Sequence, residues 1–307
     1  MPENETLIFV LFNFFIIAML ALDLGIFHKK AHGVGMKEAV IWSIVWVAMS
    51  LTFCAGLFIV AGPTTGFEFL TGYLIEKALS VDNIFVFILI FSYFGVPQKF
   101  QHKILFWGVL GALIMRSIFI LTGAALISRF EWILYVFGAI LIISGWKMMM
   151  QGEAEVHPEK NIFIRLARKF FPVFSGWETS KFFVRRDGKL YITNMFLVLI
   201  TIETTDVVFA VDSIPAIFAV TRDPFIVYSS NVFAILGLRA LYFVLAGVMN
   251  SFYYLKTGLS LILVFVGIKM IIAEFYHLPI ILSLLTICAI LTVSVVASII
   301  RNKRAAP

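Results

Sequence analysis

The amino-acid sequence predicts an all-α, polytopic membrane protein with about nine transmembrane helices, six of them arranged as two inverted three-helix repeats. Three observations carry this expectation. The 307-residue chain is 61% hydrophobic and only 14% charged, with a mean hydropathy of +1.01, whereas soluble domains are about half apolar and about a quarter charged. Apolar runs of the ~20 residues that a helix needs to cross a hydrocarbon layer of about 30 Å recur along the whole length. The segments on either side of one long polar stretch also echo each other.

Nine such runs fall at about 6-27, 39-62, 67-94, 104-127, 131-150, 193-220, 227-250, 256-274 and 279-300. The first follows the acidic "MPENET", and no small-residue cleavage site follows "LDLGIFHKK", so it reads as a span rather than a secretory signal. Orientation follows from the Lys and Arg residues. With the amino terminus outside, the cytoplasmic segments are 28-38, 95-103, 151-192, 251-255 with Lys256, and the tail from Arg301. They hold 17 of the 24 basic residues, and the opposite side holds only Arg129 and Arg222. That asymmetry predicts an outside amino terminus and a cytoplasmic carboxyl terminus. The sequence pI of 9.3 reflects this loop charge; the bilayer is the expected surrounding, and no nucleic-acid partner is expected. Cys54 and Cys288 each sit in an apolar run without a CxxC spacing or a neighbouring His, so they read as small buried hydrophobes.

The chain divides into two N-terminal spans (1-66), a first three-helix repeat (67-150), a cytoplasmic linker (151-192), a second repeat (193-274), and a final span with a basic tail (275-307). In the linker, "NIFIRLARKFF" mixes apolar and basic residues at roughly helical spacing. That suits a short helix lying on the anionic cytoplasmic leaflet or one packed on the protein's own inner face.

The repeats are legible residue by residue. "EKALSVDNIFVF" aligns with "DVVFAVDSIPAIF", matching Glu76 to Asp206 and Asp82 to Asp212, both pairs six residues apart. "GVLGALIMRSIF" resembles "NVFAILGLRALYF", pairing Arg116 with Arg239, and "ILIISGWKMM" resembles "ILVFVGIKMI", pairing Lys147 with Lys269. Each unit holds three spans, an odd number, so the second copy must enter the membrane from the opposite side. Inverted repeats with a midplane site, often on broken helices, are the plan of many secondary transporters.

Five carboxylates, Glu76, Asp82, Glu203, Asp206 and Asp212, lie in these apolar runs. A charge at the bilayer centre costs roughly 2.5 to 3.5 kcal/mol even on the lenient insertion scale, so they need cations or water. Buried structural pairing with Lys77, Arg116, Lys147, Arg239 and Lys269 would balance them five against five. Lys147 and Lys269, however, fall near span ends from which long stems reach the interface. The competing reading is a cation site with Lys77, Arg116 and Arg239 as supports or compensating charges.

Helix geometry limits that site. Glu203 and Asp206 are three apart and share a face. Asp206 and Asp212 are six apart, about 9 Å of rise and about 120° of rotation on a straight helix, too far to hold one ion together. Either the span breaks around "AVDSIP", where Pro215 removes an amide, or each carboxylate partners its equivalent in the other repeat. Ser80 and Asn83 in one repeat, and Thr204, Thr205 and Ser213 in the other, add neutral oxygen ligands. Asp23, in "LALDLGIF", is close enough to the cytoplasmic edge to be a further ligand or a cap. The acidic segments contain no His or Cys, and hard oxygen ligands suit magnesium, calcium or manganese better than zinc or copper. The same carboxylates can carry protons in exchange.

"YLIEKALSVDNIFVF" together with "ETTDVVFAVDSIPAIFAVTRDPFIVYSSNVFAILGLRALYF" resembles the signature of the TerC family of bacterial integral membrane proteins, and specifically its Alx-like branch. The resemblance covers nearly the whole chain. It implies a multi-pass protein of the bacterial cytoplasmic membrane, metal-ion transport with Mn²⁺ export as the associated activity, and a kinship with LysE-type exporters built from inverted three-helix repeats. It also implies that Glu76, Asp82, Glu203, Asp206 and Asp212, with Asn83 adjacent, form the metal site. The metal enters as transported substrate, and no cofactor is expected. Older descriptions of the family, tellurite resistance or redox modulation, leave a second class: a non-transporting membrane modulator or scaffold. Matched intramembrane carboxylates have no use in a scaffold. An intramembrane metalloprotease would want HExxH, which does not occur, so the chain is not expected to be an enzyme.

Overall fold

The computed structural model describes residues 3-27, 35-150, 161-174, 176-186, 188-246, 253-273, 275-276 and 278-305. The chain divides into two units, Met1–Val34 and Gly35–Pro307. The first contains α1 (Glu3–Phe27), apolar over Leu7–Ala21. The Asp23 side chain, His28, His32, Lys29 and Lys30 lie outside the described residues, as do 151-160 of the linker and His157 and His277.

The second unit holds α2 (Met36–Val60), α3 (Pro63–Phe94), α4 (Gln98–Arg129), α5 (Ile133–Met150), α6 (Ile162–Phe170), β1 (Val173–Phe174), β2 (Phe183–Arg186), β3 (Lys189–Thr193), α7 (Asn194–Phe218), α8 (Pro224–Leu236), α9 (Leu238–Ala246), α10 (Leu255–Ile272) and α11 (Ile280–Ala305). Among the described residues, α2, α4, α5, α7, α10 and α11 are long and apolar enough to cross a membrane, and α8 with α9 makes a seventh span if the bent pair is one. The protein is therefore an all-α polytopic membrane protein. By that measure six or seven of the nine expected spans are present. α3 is not in that count; Glu68, Glu76, Lys77 and Asp82 punctuate its apolar sequence. Ile59 on α2, Ile118 on α4 and Val293 on α11 are largely exposed, as apolar faces toward lipid must be.

Local signals set the helix ends. Pro63 opens α3 at a position where its missing amide costs nothing, and Gly95, at φ 60°, closes it in the left-handed conformation that glycine adopts freely. Asp223 caps α8, accepting from the amides of Phe225 (2.8 Å) and Ile226 (3.3 Å).

The break lies elsewhere than "AVDSIP". α7 runs unbroken from Asn194 to Phe218 with Pro215 inside it. Pro215 stands in the final turn, so few helical bonds remain beyond it to lose. The second repeat breaks instead at Gly237, where α8 and α9 meet at 41°. Lys77 supports that break: its Nζ donates to the carbonyl of Ala234, one of the groups freed at the end of α8 (3.2 Å). Lys77 is therefore a helix cap and not the partner of a carboxylate expected from its charge.

Packing in this unit is reciprocal. α3 and α4 each pack on both α7 and α8, while α5 packs on α10. α5 and α10 run antiparallel with their backbones in contact. A Cβ at Gly138 would stand 2.9 Å from the carbonyl oxygen of Gly267, one at Gly267 2.7 Å from that of Gly138, and one at Gly145 2.7 Å from that of Ser260. Only glycine allows approaches this close.

The linker forms a helix and a small sheet of order β1-β3-β2, with β1 parallel and β2 antiparallel to β3. Asn161 caps α6 through Phe163 N (2.9 Å) and Ile164 N (3.3 Å) while its Nδ2 donates to Thr204 Oγ1 on α7 (2.7 Å). Ile164 buries itself with Ile192 and Leu197. Ile162, Phe163, Leu166 and Phe170 face outward beside exposed Arg165, Arg168 and Lys169.

Candidate functional site

α3 lies antiparallel to α7 and the turn that follows it, and four rungs join them, each step along one chain segment matched by an equal step back along the other. Thr221 Oγ1 donates to Glu68 Oε2 (2.8 Å). Gly72 lies against Ile217 and Glu76 against the hydroxyl of Ser213. The fourth rung sets Asn83 3.3 Å from Asp206 Oδ1.

Arg116, from α4, ties the middle rungs together. Its Nε donates to Asp206 Oδ2 (3.1 Å), its Nη2 to Asp206 Oδ1 (3.0 Å), and its Nη1 to Ser213 Oγ (3.3 Å) and to Glu76 Oε1. Turned so that its oxygen accepts from Arg116 Nη2 (3.3 Å) and its nitrogen donates to the Leu79 carbonyl (3.2 Å), Asn83 satisfies both ends of its amide. Glu76, Arg116 and Asp206 are 0%, 1% and 3% exposed. Two carboxylates thus share one guanidinium in the interior, a bidentate arrangement for which Arg is suited and Lys is not.

Asp82 and Asp212 escape this pairing. Both line a cavity of about 10 Å³ together with Glu76, Asn83, Ser213, Phe209, Leu79, Met148 of α5 and Leu263 of α10, space for about one water or one small ion. Ser144, on α5, donates to Asp212 Oδ1 at 2.6 Å. Glu76 Oε2 and Ser80 Oγ are buried with no hydrogen-bond partner among the described residues. Lys147 lies within electrostatic reach of Asp212, Lys256 of Asp82 and Lys269 of Glu68. Among the described residues, Arg116 is the cation hydrogen-bonded to Glu76 and Asp206.

The remaining residues are distributed along α7 and α9. Glu203 is half-buried, its carboxylate against Gly111 of α4. Thr205 Oγ1 donates to the carbonyl of Thr201 in its own helix (2.7 Å). Arg239 follows the break on α9, partly buried. Of the six residues expected to hold a metal, Glu76, Asp82, Asn83 and Asp212 line this one cavity, while Asp206 is held by Arg116 and Glu203 lies against Gly111. Among the described residues, no three His, Cys, Asp or Glu side chains are grouped as a metal ion would require. Arg116 stands between Glu76 and Asp206, and Asp82 and Asp212 open on the α5–α10 side.

Two residues of this region were missed from the sequence. Ser144 left a trace, a hydroxyl beside Gly145 in an otherwise apolar span. Glu68 left none in the repeat, because its counterpart position holds Val198. It lines a second cavity, of about 690 Å³, with Glu131, Trp132, Thr221 and Arg222.

Comparison with known proteins assigns the sequence to a family. Residues 61–306 match the family described as "Integral membrane protein TerC family". "Uncharacterized membrane protein STKORF319" of Myxococcus xanthus is 52% identical over 291 residues, covering 95% of this chain and 91% of that protein. "Putative membrane-bound redox modulator Alx" of Escherichia coli K12 is 50% identical over 295 residues, 93% of this chain and 92% of that protein. A membrane protein of Rickettsia bellii is 42% identical over 293 residues, 95% and 97% of the two chains. No solved structure matches. The acid-bearing helices α3 and α7 both lie within the matched range, and the chain belongs to the TerC family of integral membrane proteins.

Proposed function

We propose that this protein is a secondary transporter of the bacterial cytoplasmic membrane that exports a divalent cation, Mn²⁺, through the carboxylates of α3 and α7, with protons moving in exchange. One observation carries the reading. Asp82 and Asp212 occupy matched positions in the two sequence repeats and open into one small cavity, into whose lining the fully buried Glu76 brings an unpartnered oxygen. Intramembrane carboxylates are costly, and cation or proton pathways are where they are found. The donors are hard oxygens, which favour manganese, magnesium or calcium over zinc or copper.

The packing supports the inverted-repeat reading behind this mechanism. In the register that matches Glu76 to Asp206, Asn83 matches Ser213, so the Asn83–Asp206 and Glu76–Ser213 rungs exchange with one another. In the register that matches Lys147 to Lys269, Gly145 matches Gly267 and Gly138 matches Ser260, so the Gly138–Gly267 and Gly145–Ser260 contacts exchange likewise. Such reciprocity is what a two-fold axis in the membrane plane would produce. The outward apolar and basic residues of α6 suit a seat on an anionic cytoplasmic leaflet, consistent with an outside amino terminus and a cytoplasmic carboxyl terminus.

A second reading comes from the relatives named as redox modulators: a membrane modulator or scaffold acting through other proteins. Cys54 and Cys288, both free, stand on α2 and α11. Flux separates the two readings. Purified protein in liposomes should move Mn²⁺ with no other protein present, and Mg²⁺, Ca²⁺ and Zn²⁺ offered as competitors should rank its selectivity. Absence of flux for all four would leave the modulator.

A further inference from the structure

Two of the carboxylates that the transport reading assigns to the ion are already engaged. Asp206 gives both its oxygens, and Glu76 one, to Arg116. A guanidinium has five N–H bonds, and five acceptor contacts surround this one once Asn83 Oδ1 and Ser213 Oγ are included. No donor is left over. Removing one partner of a buried ion pair leaves an uncompensated charge, so Arg116 and the two carboxylates can separate only when other charges take their places.

Both replacements are at hand. Glu76 lines the same cavity as Asp82 and Asp212, and its Oε2 has no hydrogen-bond partner among the described residues. A divalent cation arriving there would bind the free half of a carboxylate whose other half holds a guanidinium, and the two positive charges repel. On the opposite side, Glu203 lies three residues before Asp206 on the same face of α7, its carboxylate against Gly111. Gly111 is just over one turn before Arg116 on α4, and helical side chains lean toward the amino terminus of their helix. Glu203 thus borders the part of α4 toward which the Arg116 side chain leans.

We propose that Arg116 is a tethered cation that competes with the transported ion for Glu76 and Asp206: the ion's arrival displaces the guanidinium toward Glu203, and its return expels the ion. This rests on the transport reading above and assigns Arg116 and Glu203 their parts in it. Arg116 then lowers the resting affinity for the ion and drives its release, the opposite of a supporting residue. Glu203 receives the arginine without touching the ion.

The test measures Mn²⁺ binding and Mn²⁺ flux for the full chain in lipid vesicles, comparing the wild type with Arg116→Gln, Arg116→Lys and Glu203→Gln. Folding is checked by gel filtration and melting. Arg116→Gln should bind Mn²⁺ at least tenfold more tightly and turn over at least tenfold more slowly. Arg116→Lys, whose single ammonium cannot span both carboxylates, should fall between it and the wild type. Glu203→Gln should leave binding within about twofold and lower the maximal flux several-fold. Folded Arg116 variants that bind Mn²⁺ no better than the wild type, or worse, would overturn the competition while leaving transport intact. A wild type that neither binds nor moves Mn²⁺ would overturn both. If neither Arg116 variant folds, Glu203→Gln decides alone, and an unchanged maximal flux refutes the displacement.

Discussion

Gly267→Ala is the sharpest test of how the α5–α10 pair is built. The new Cβ would stand 2.7 Å from the carbonyl oxygen of Gly138, 2.9 Å from Ile142 Cγ1 and 3.0 Å from Leu141 Cβ. Two of these are not the ends of flexible side chains: one is backbone and one is a Cβ. α5 must therefore retreat by several tenths of an ångström along the length of the contact. Overpacking of this kind costs about 1 to 3 kcal/mol. Ala in place of Gly within a helix returns about 0.5 to 1 kcal/mol, so the net loss is about 0 to 2.5 kcal/mol. Gly56→Ala, in α2, is the control, because a Cβ there meets nothing within 4 Å, and the same substitution should stabilise by about 0.5 to 1 kcal/mol. Thermal melting of both variants in one detergent measures the contrast. A melting temperature for Gly267→Ala at or above that of Gly56→Ala would refute the close approach. The retreat also widens the Asp82–Asp212 cavity, which Met148 of α5 and Leu263 of α10 help to wall.

Three further outcomes follow from single contacts. Lys77→Met removes the donor from the Ala234 carbonyl at the Gly237 break and should cost about 2 kcal/mol, the value of a hydrogen bond to a charged group; an unchanged melting temperature would show that the break holds without its cap. Ser144→Ala removes the 2.6 Å bond to Asp212 and should destabilise by roughly 1.5 to 3 kcal/mol, read by the same melt, and no loss would mean that water replaces the hydroxyl. A spin label at Leu166, on a background lacking Cys54 and Cys288, should sit deeper in vesicles rich in anionic lipid than in zwitterionic ones, by the charge of Arg165, Arg168 and Lys169. Equal aqueous exposure in both would detach α6 from the leaflet.

The echo between the two halves was the most legible feature of the sequence. Matching Glu76 to Asp206 and Asp82 to Asp212 assumed nothing about contacts, yet the first pair shares Arg116 and the second lines one cavity. On a straight helix Asp206 and Asp212 are too far apart to share an ion. α7 is one unbroken helix, and Asp206 and Asp212 turn to different neighbours, Arg116 and Ser144.

The illegible part lay in choosing among equal candidates. Pro215 is the stronger breaker in isolation, but its place in the last turn leaves little helix to break, whereas Gly237 sits mid-span where Lys77 can meet the freed carbonyl. Five cations stood against five acids with no sign of which would pair. The choice fell on Arg116 because α4 packs on α7 and holds a planar fork opposite two carboxylates, while Lys77 is turned toward α8. Sequence distance carries no information about such a choice, since it depends on which helices pack. Glu68 had no echo to mark it.

Mn²⁺ flux into everted vesicles or out of loaded liposomes, compared for the wild type, Asp82→Asn and Asp212→Asn, tests the central claim most directly. Neither substitution breaks the Arg116 pairing with Glu76 and Asp206, so both variants should fold and melt close to the wild type while losing most of the flux. Undiminished flux in both folded variants would remove the Asp82–Asp212 cavity from the transport path.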